Sequence, residues 1–591
     1  MSDDPAERIA RAFTPAPLAG GPEPEDREAF DPAADDFAED GEEPSGVGLG
    51  AVDVSVVESC AGLDHSDTDN GLRLRRHFGQ DLVVMAQEGT PGGDWLGWTG
   101  THWDLAAGAA RVRMIAQKLG DRIGLEAAYL AHTPDELKAI KRGKAALKKE
   151  AEERTNEDRA AIDAKTRAEK ALDQRRSRRR TFAVTSKNKN RMESALECAA
   201  PHLRRSPDHF NPGRLTFATL THTLSFKRAL DEEAHDGLDE EAYRAAARVY
   251  RVELHAVPDH TRTDWITAVV PVAYDETVVA RRWHAFLEEM LPDADKRRTV
   301  QQFAGLGLLG LPVQYVMFHY GLGANGKSVF LETISRLLGP GLAVGLPRES
   351  IVGASERSAG AASPDLVRLY GKRFVRITEL KADAPLQEDL IKRLTGGEAL
   401  PVRTLFKGYF EFQSFATPHM SGNGFPTVDG TDNGIWRRLL VVHWDQTLPK
   451  ERQRDFEEFV SELIDLEAPG ILNWLIDGAR DFLTYGLAIA PSIQGATTEY
   501  REEMDPIGEF LAACVRAAPG QRVQANDMYQ AYVSWSLANA KRTRSQTKFG
   551  RTLKQRFAKS EIEGRNYYVD CELHSVPLRP SEPRKPEDFG H

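Results

Sequence analysis

The hydrophobic pattern changes its period between residues 313 and 338. Residues 313–320 are apolar and rich in β-formers, which reads as a buried strand, whereas residues 328–338 place apolar side chains at helical spacing until Gly339-Pro340 stops them. A glycine-rich stretch separates the two, so strand, tight loop and helix follow one another. Further apolar runs of strand length lie at 371–379, 415–420 and 439–444. Between them, Leu386, Leu390, Ile391 and Leu394 share one face of an amphipathic helix that Gly396-Gly397 ends, and residues 401–412 form a candidate hairpin with Lys407 at its tip. Strands alternating with helices predict an α/β core.

Around this core the periods differ. Residues 71–104 read as short alternating strands carrying Trp95, Trp98 and Trp103; these rings can stack bases, but the core of a small sheet is their commoner use. Residues 105–200 are helical, and 136–180 are so rich in Lys, Arg, Glu and Ala that a long solvated hairpin is expected. Its end carries a basic cluster, Arg175, Arg176 and Arg178 to Arg180, which suits phosphates; a solvated helix face is the ordinary reading of such a run. Residues 203–304 are mixed, with a strand expected at 265–272 and a helix at 278–290. After the core, 452–485 is helical. Helices at 507–516, 526–540 and 546–558 and a closing strand at 567–569 then suit a winged helix. In that helix Phe549, Leu553 and Phe557 bury one face and Lys548, Arg551 and Lys554 project.

At 591 residues the chain exceeds one core, and three or four domains are expected. The expected boundaries are 1–70, 71–300, 301–445, 446–500, 501–575 and a tail at 576–591. The formal net charge is −12, but the first sixty residues alone hold 16 acidic and 3 basic side chains, so the remainder is nearly neutral and its partners can include nucleic acid. Residues 1–70, acidic and poor in large apolar side chains, are expected to be disordered. Cys60, Cys198, Cys514 and Cys571 are scattered and read as free thiols. With no membrane-length apolar stretch and no secretory signal, a cytoplasmic protein without a membrane partner is expected.

The loop after the first core strand is Gly321-Leu322-Gly323-Ala324-Asn325-Gly326-Lys327-Ser328-Val329, the phosphate-loop pattern. Its glycines let backbone N–H groups turn inward around phosphates at a helix N-terminus. Lys327 would reach the outer phosphates of ATP and Ser328 would hold Mg²⁺. The strand at 371–379 ends in Thr378-Glu379, and a carboxylate there can polarise the attacking water or bind Mg²⁺ through water. Asn423, after the strand at 415–420, can orient water against the γ-phosphate. One of Arg437 and Arg438 can reach a neighbouring subunit's nucleotide. An aromatic-flanked basic tip at Lys407 suits single-stranded nucleic acid, although an ordinary surface hairpin has the same look.

This order of motifs resembles the superfamily 3 helicases, most closely the phage and plasmid primase-helicase family to which poxvirus primase-helicases are also similar. The residues that carry the resemblance are Gly321 to Ser328, Thr378-Glu379, Ile391 to Glu398 with Val402-Arg403, Asn423 with Pro426, and Trp436-Arg437-Arg438, within roughly residues 300–445. The family often has Asp where this chain has Glu398. The resemblance implies an AAA+ phosphate-loop ATPase core with an N-terminal mostly helical domain and a C-terminal winged-helix domain, assembled as a homo-hexameric ring that moves on DNA with ATP and Mg²⁺. It implies Lys327 and Ser328 on ATP and Mg²⁺, Glu379 as the second nucleotide motif, Asn423 as polar sensor, and Arg437 or Arg438 as the finger in trans. Single-stranded DNA would meet Arg403 and Lys407 in the pore, and duplex would meet Lys548, Arg551 and Lys554. Many members carry a primase domain ahead of the motor; residues 1–70 hold no paired-carboxylate or zinc pattern, so primase activity is not expected, and a separate primase is one candidate partner. Two other functions share these motifs: an ATP-regulated replication initiator or loader, and a phosphate-loop ATPase of packaging or defence.

Overall fold

The computed structural model describes residues 52–87, 90–230, 250–353, 363–382, 384–403, 409–428, 433–541 and 543–575. It is a mixed α/β chain around a five-stranded parallel sheet. Among the described residues no helix is long and apolar enough to cross a membrane.

Helices Val54–Ala61 and Asp67–Phe78 open the described chain, capped by the Asp53 carboxylate and the Ser66 hydroxyl. Both include residues below 70, where composition predicted no structure. The reason lies in distant partners: Arg73 and Arg179 share the fully buried Glu126 carboxylate and hold the backbone carbonyls of Ala61, Leu63 and Asp64. Arg179 is thus a buried strut and not a phosphate ligand, and Arg175 of the same cluster is bound to Glu136 at 2.6 Å. The expected charged hairpin is made by helices Pro134–Leu147 and Asn156–Ser186, each opened by a capping box.

Strands β1 (Leu82–Gln87), β2 (Thr90–Trp98), β3 (Trp103–Asp104) and β4 (Arg204–Arg205) form a small sheet of order β3-β2-β1-β4, with Trp103 buried behind it. Strands β5 (Thr216–Ala218), β6 (His222–Leu230) and β7 (Tyr250–Pro258) form an antiparallel sheet. The strand expected at 265–272 does not form; only an isolated bridge, Ala218 to Val269, is made there. Trp265 takes a left-handed backbone (φ +53°) and Pro271 lacks an N–H, while Ile266, Ala268, Val270 and Val272 are apolar because they enter the core.

The parallel sheet consists of β8 (Val316–Tyr320), β9 (Ala343–Leu346), β10 (Phe374–Leu380), β13 (Thr417–Gly422) and β14 (Leu439–His443), in the order β14-β8-β13-β10-β9. Between β10 and β13 the chain makes helix Glu388–Gly396 and the antiparallel pair β11 (Ala399–Arg403) and β12 (Tyr409–Gln413). Buried on both faces, these parallel strands need helices on each side. Helices Arg281–Met290, Ala294–Gly305, Lys327–Leu342 and Phe456–Tyr485 pack Trp283, Phe303, Phe330 and Trp474 over one face. Leu369, Ile391, Ile435 and Tyr500 cover the other. The first core also takes in Phe217 and Leu224, so packing is continuous across residue 300. As expected, the helix that follows β8 loses its regular form at Gly339 (φ +71°).

At the C-terminal end, helices Pro506–Cys514, Ala525–Ala538 and Gln546–Arg556 pack Phe510, Tyr532, Phe549 and Leu553 against a sheet of β15 (Val515–Gln524), β16 (Lys559–Ile562) and β17 (Arg565–Leu573), order β15-β17-β16. The pattern of polar residues hid β15, which is largely exposed and interrupted by Pro519-Gly520.

Candidate active site

In the parallel sheet β8 lies between β14 and β13, two strands that come later in the chain, so the connections leaving its carboxyl end diverge from its neighbours'. Ligand clefts in open α/β sheets sit outside the carboxyl ends at such a switch point. Here a cleft of about 1460 Å³ opens at that edge.

The turn from β8 into the helix at Lys327 uses positive φ at Gly323 (+123°), Ala324 (+46°) and Gly326 (+81°). A Cβ at 321 would lie 2.1 Å from Asn325 Nδ2 and one at 326 would lie 2.8 Å from the Phe286 ring, so both positions require glycine. The loop is braced from the segment after β14: Asn325 Nδ2 donates to the Trp444 carbonyl (3.2 Å), and the Leu448 amide donates to the Ala324 carbonyl (2.9 Å). Lys327 Nζ donates to Gly321 O (2.7 Å), Asn325 Oδ1 (3.1 Å) and Asn423 Oδ1 (3.3 Å). Burial draws its pKa down to about 8. Asn423 reaches the lysine because β13 pairs with β8 as far as Gly422 and Tyr320. Ser328, at the first turn of the helix, and Val329 also line the cleft.

Glu379 lies near the end of β10, where the pairing with β13 slips between Ile377 and Leu380. Its φ is +61°, a conformation a glutamate seldom adopts, and its exposed side chain lines the same cleft. Three residues that sequence reasoning missed stand nearby. Arg348 Nη1 is 3.5 Å from the Glu379 carbonyl, and Arg376 on β10 is paired with Glu332 of the phosphate-loop helix. Glu332 also holds Arg336 (2.8 Å) one turn on, and that four-residue spacing was the one signal available.

The cleft therefore brings together Gly323, Ala324, Asn325, Gly326, Lys327, Ser328, Val329, Glu379 and Asn423, with Gly321 at the root of the loop. It does not include Arg437 or Arg438. Arg437 is exposed beside Trp436, Thr497 and Arg501, whereas Arg438 donates to Thr395 Oγ1 (3.1 Å) and the Gly434 carbonyl (2.5 Å) of its own chain. Arg403 closes β11, with its side chain outside what is described, and Lys407 lies outside the described residues. Arg551 and Lys554 are exposed on helix Gln546–Arg556. Lys548 departs from the expectation of an outward face: it is half-buried in a small cavity with Arg544 and Arg556 against Trp436, because this face of the helix turns toward the core.

Behind the loop, two fully buried histidines join the strands. Trp444 Nε1 donates to His319 Nδ1 (3.0 Å) on β8, and His319 Nε2 is 3.1 Å from His419 Nδ1 on β13. Indole N–H is only a donor, so His319 keeps its proton on Nε2 and passes it toward His419 as a hydrogen bond.

Residues 71–292 match the family model described as D5 N terminal like. The chain is 27% identical over 281 residues to "Putative helicase 022R" of Frog virus 3, covering 43% of this chain and 28% of that protein. It is 23% identical over 271 residues to "Putative primase C962R" of African swine fever virus, again covering 43% and 28%. The chain thus spans less than a third of the length of either relative. Among solved structures, the apo C-terminal region of NrS-1 aligns with 55% of this chain and 94% of its own length, at 11% identity and a TM-score of 0.33. In sequence the chain is similar to the D5 N-terminal-like family over residues 71–292 and, over about two fifths of its length, to proteins of large DNA viruses that carry helicase and primase names.

Proposed function

We propose that this chain is an ATP-dependent DNA helicase of the superfamily 3 type, acting in replication of a phage, plasmid or integrated element. The observation that carries the reading is the meeting of the Lys327 ammonium, the Asn423 amide and the strand-end Glu379 on one cleft, at the switch point of a parallel sheet. In this reading Lys327 exchanges its three neutral oxygen partners for phosphate oxygens, and the backbone N–H groups of residues 323–328 surround the same phosphates. The exposed Ser328 hydroxyl and Glu379 carboxylate are oxygen donors that fit Mg²⁺, which supplies charge neutralisation on the phosphates. Glu379 takes the proton of the attacking water, and Asn423 orients that water.

Six copies form a ring, in which Arg437 serves the neighbouring subunit's nucleotide, since Arg438 is already engaged within its own chain. Single-stranded DNA passes Arg403 and Lys407. Duplex meets the C-terminal three-helix unit, read as a winged helix, through Arg551 and Lys554. The deciding experiment is unwinding of forked DNA bearing one type of single-stranded tail. ATP-dependent strand separation is expected on one of the two fork types. ATP hydrolysis without separation on either would favour an initiator or loader, and translocation on duplex without unwinding would favour a packaging or defence motor.

A further inference from the structure

The cleft has a second end that phosphate chemistry does not use. We infer that its aromatic wall, Phe286, Phe456 and Phe459, is the seat of a nucleobase held by stacking. The inference rests on the nucleotide reading above and adds to it where the base goes and what holds it.

Phe286 begins the wall one residue from the lysine, since its ring is what a side chain at Gly326 would strike. Phe459 meets Phe286 edge-on, with centroids 5.8 Å apart at 71°. Phe456 stands one turn earlier on helix Phe456–Tyr485 and lines the same cleft, yet it is 38% exposed, whereas Phe286 is 8% exposed. An aromatic face open to a cleft recognises a flat π-system.

The polar side chains at this end are already engaged. Arg452 pairs with Glu289 (2.6 Å), Arg454 pairs with Glu462, and Gln453 Nε2 donates to the Leu448 carbonyl (2.8 Å). Beside these engaged groups, the open face of Phe456 offers ring surface to a ligand. The segment that delivers Phe456 is the one that braces the phosphate loop, through Trp444 O to Asn325 and Leu448 N to Ala324, so ring and phosphate site are fixed to one another.

The test compares ATP with inorganic triphosphate, which has the phosphates and no base, as ligands of the full chain in the presence of Mg²⁺. The wild-type protein is expected to bind both. Phe456→Ala is expected to raise the Kd for ATP about five-fold or more while leaving that for triphosphate unchanged, and Phe456→Trp is expected to restore ATP binding. An alanine variant that binds ATP like the wild type, or loses ATP and triphosphate equally, overturns the base seat while the nucleotide site stands. A wild-type protein that binds neither ligand overturns the nucleotide reading and this inference with it.

Discussion

Lys327 shows how a charge is stored in a site. Its ammonium is buried among three neutral oxygens, and burial has drawn its pKa down from 10.5 to about 8. A polyphosphate in place of those oxygens favours the charged form again. Nucleotide binding is therefore expected to take up protons, and ATP affinity to fall as pH rises through about 8; titration calorimetry in buffers of different ionisation enthalpy reads both. Constant affinity and no proton uptake between pH 7 and 9.5 would show that the amine does not meet the phosphates. Lys327→Ala is expected to lower ATP turnover by about 100-fold or more with an unchanged circular-dichroism melt. The loop was legible in sequence because its requirements are local, two glycines that admit no Cβ and a lysine beside them. Asn423 was legible as a polar residue after a strand, but its bond to a lysine 96 positions away is set by strand order, which no local pattern encodes.

Elements decide which of two adjacent arginines is available. Helix Glu388–Gly396 supplies Thr395, and its hydroxyl, with the Gly434 carbonyl, satisfies Arg438; Arg437 faces outward. Arg437→Ala is expected to bind nucleotide, hydrolyse it poorly, and regain activity when mixed with Lys327→Ala subunits. Arg438→Ala is expected to lower stability by about 1 kcal/mol and to gain nothing from mixing. The opposite assignment of rescue would make Arg438 the residue that crosses the interface. The strands behind the loop carry a pH dependence of their own. Burial, with the Lys327 charge, holds His319 down at about 3, and burial with His319 beside it holds His419 well below the usual histidine range. In the unfolded chain both protonate near 6.5. Unfolded protein thus binds more protons below that value, so stability is full above pH 6.5 and declines as pH falls toward 3. Urea midpoints that stay level from pH 7 to 5 would contradict the buried neutral pair, and His419→Leu is expected to shallow the decline. None of this was visible in sequence, where His319 and His419 are single polar residues in apolar runs. The basic cluster near 175 divides for the same reason: Arg178 and Arg180 lie on the solvated face that is the ordinary reading of such a run, whereas only the fold brings Glu126 to Arg179.

Across the whole molecule, the C-terminal face proposed to meet duplex DNA is the part least fixed by local pattern. The helix expected at 546–558 forms over Gln546–Arg556, with Phe549 and Leu553 buried as its spacing required. Its charges divide in a way that spacing alone did not give. Arg556 is bound to Asp505 at 2.6 Å and Lys541, upstream, to Glu509 at 2.9 Å; Lys548 is half-buried toward Trp436. Arg551 and Lys554 remain on the exposed face. If that face lies on duplex DNA, removing one cation from a phosphate lowers the salt slope of binding by about one unit. Reversing both to Glu is therefore expected to weaken duplex binding and to flatten its slope by about two units, with ATP hydrolysis on single strands retained. Lys548→Glu is expected to act differently, lowering thermal stability while changing the slope little, because its site is a packed cavity against the core. A duplex affinity and slope unchanged in the double reversal would mean that duplex docks elsewhere on the chain.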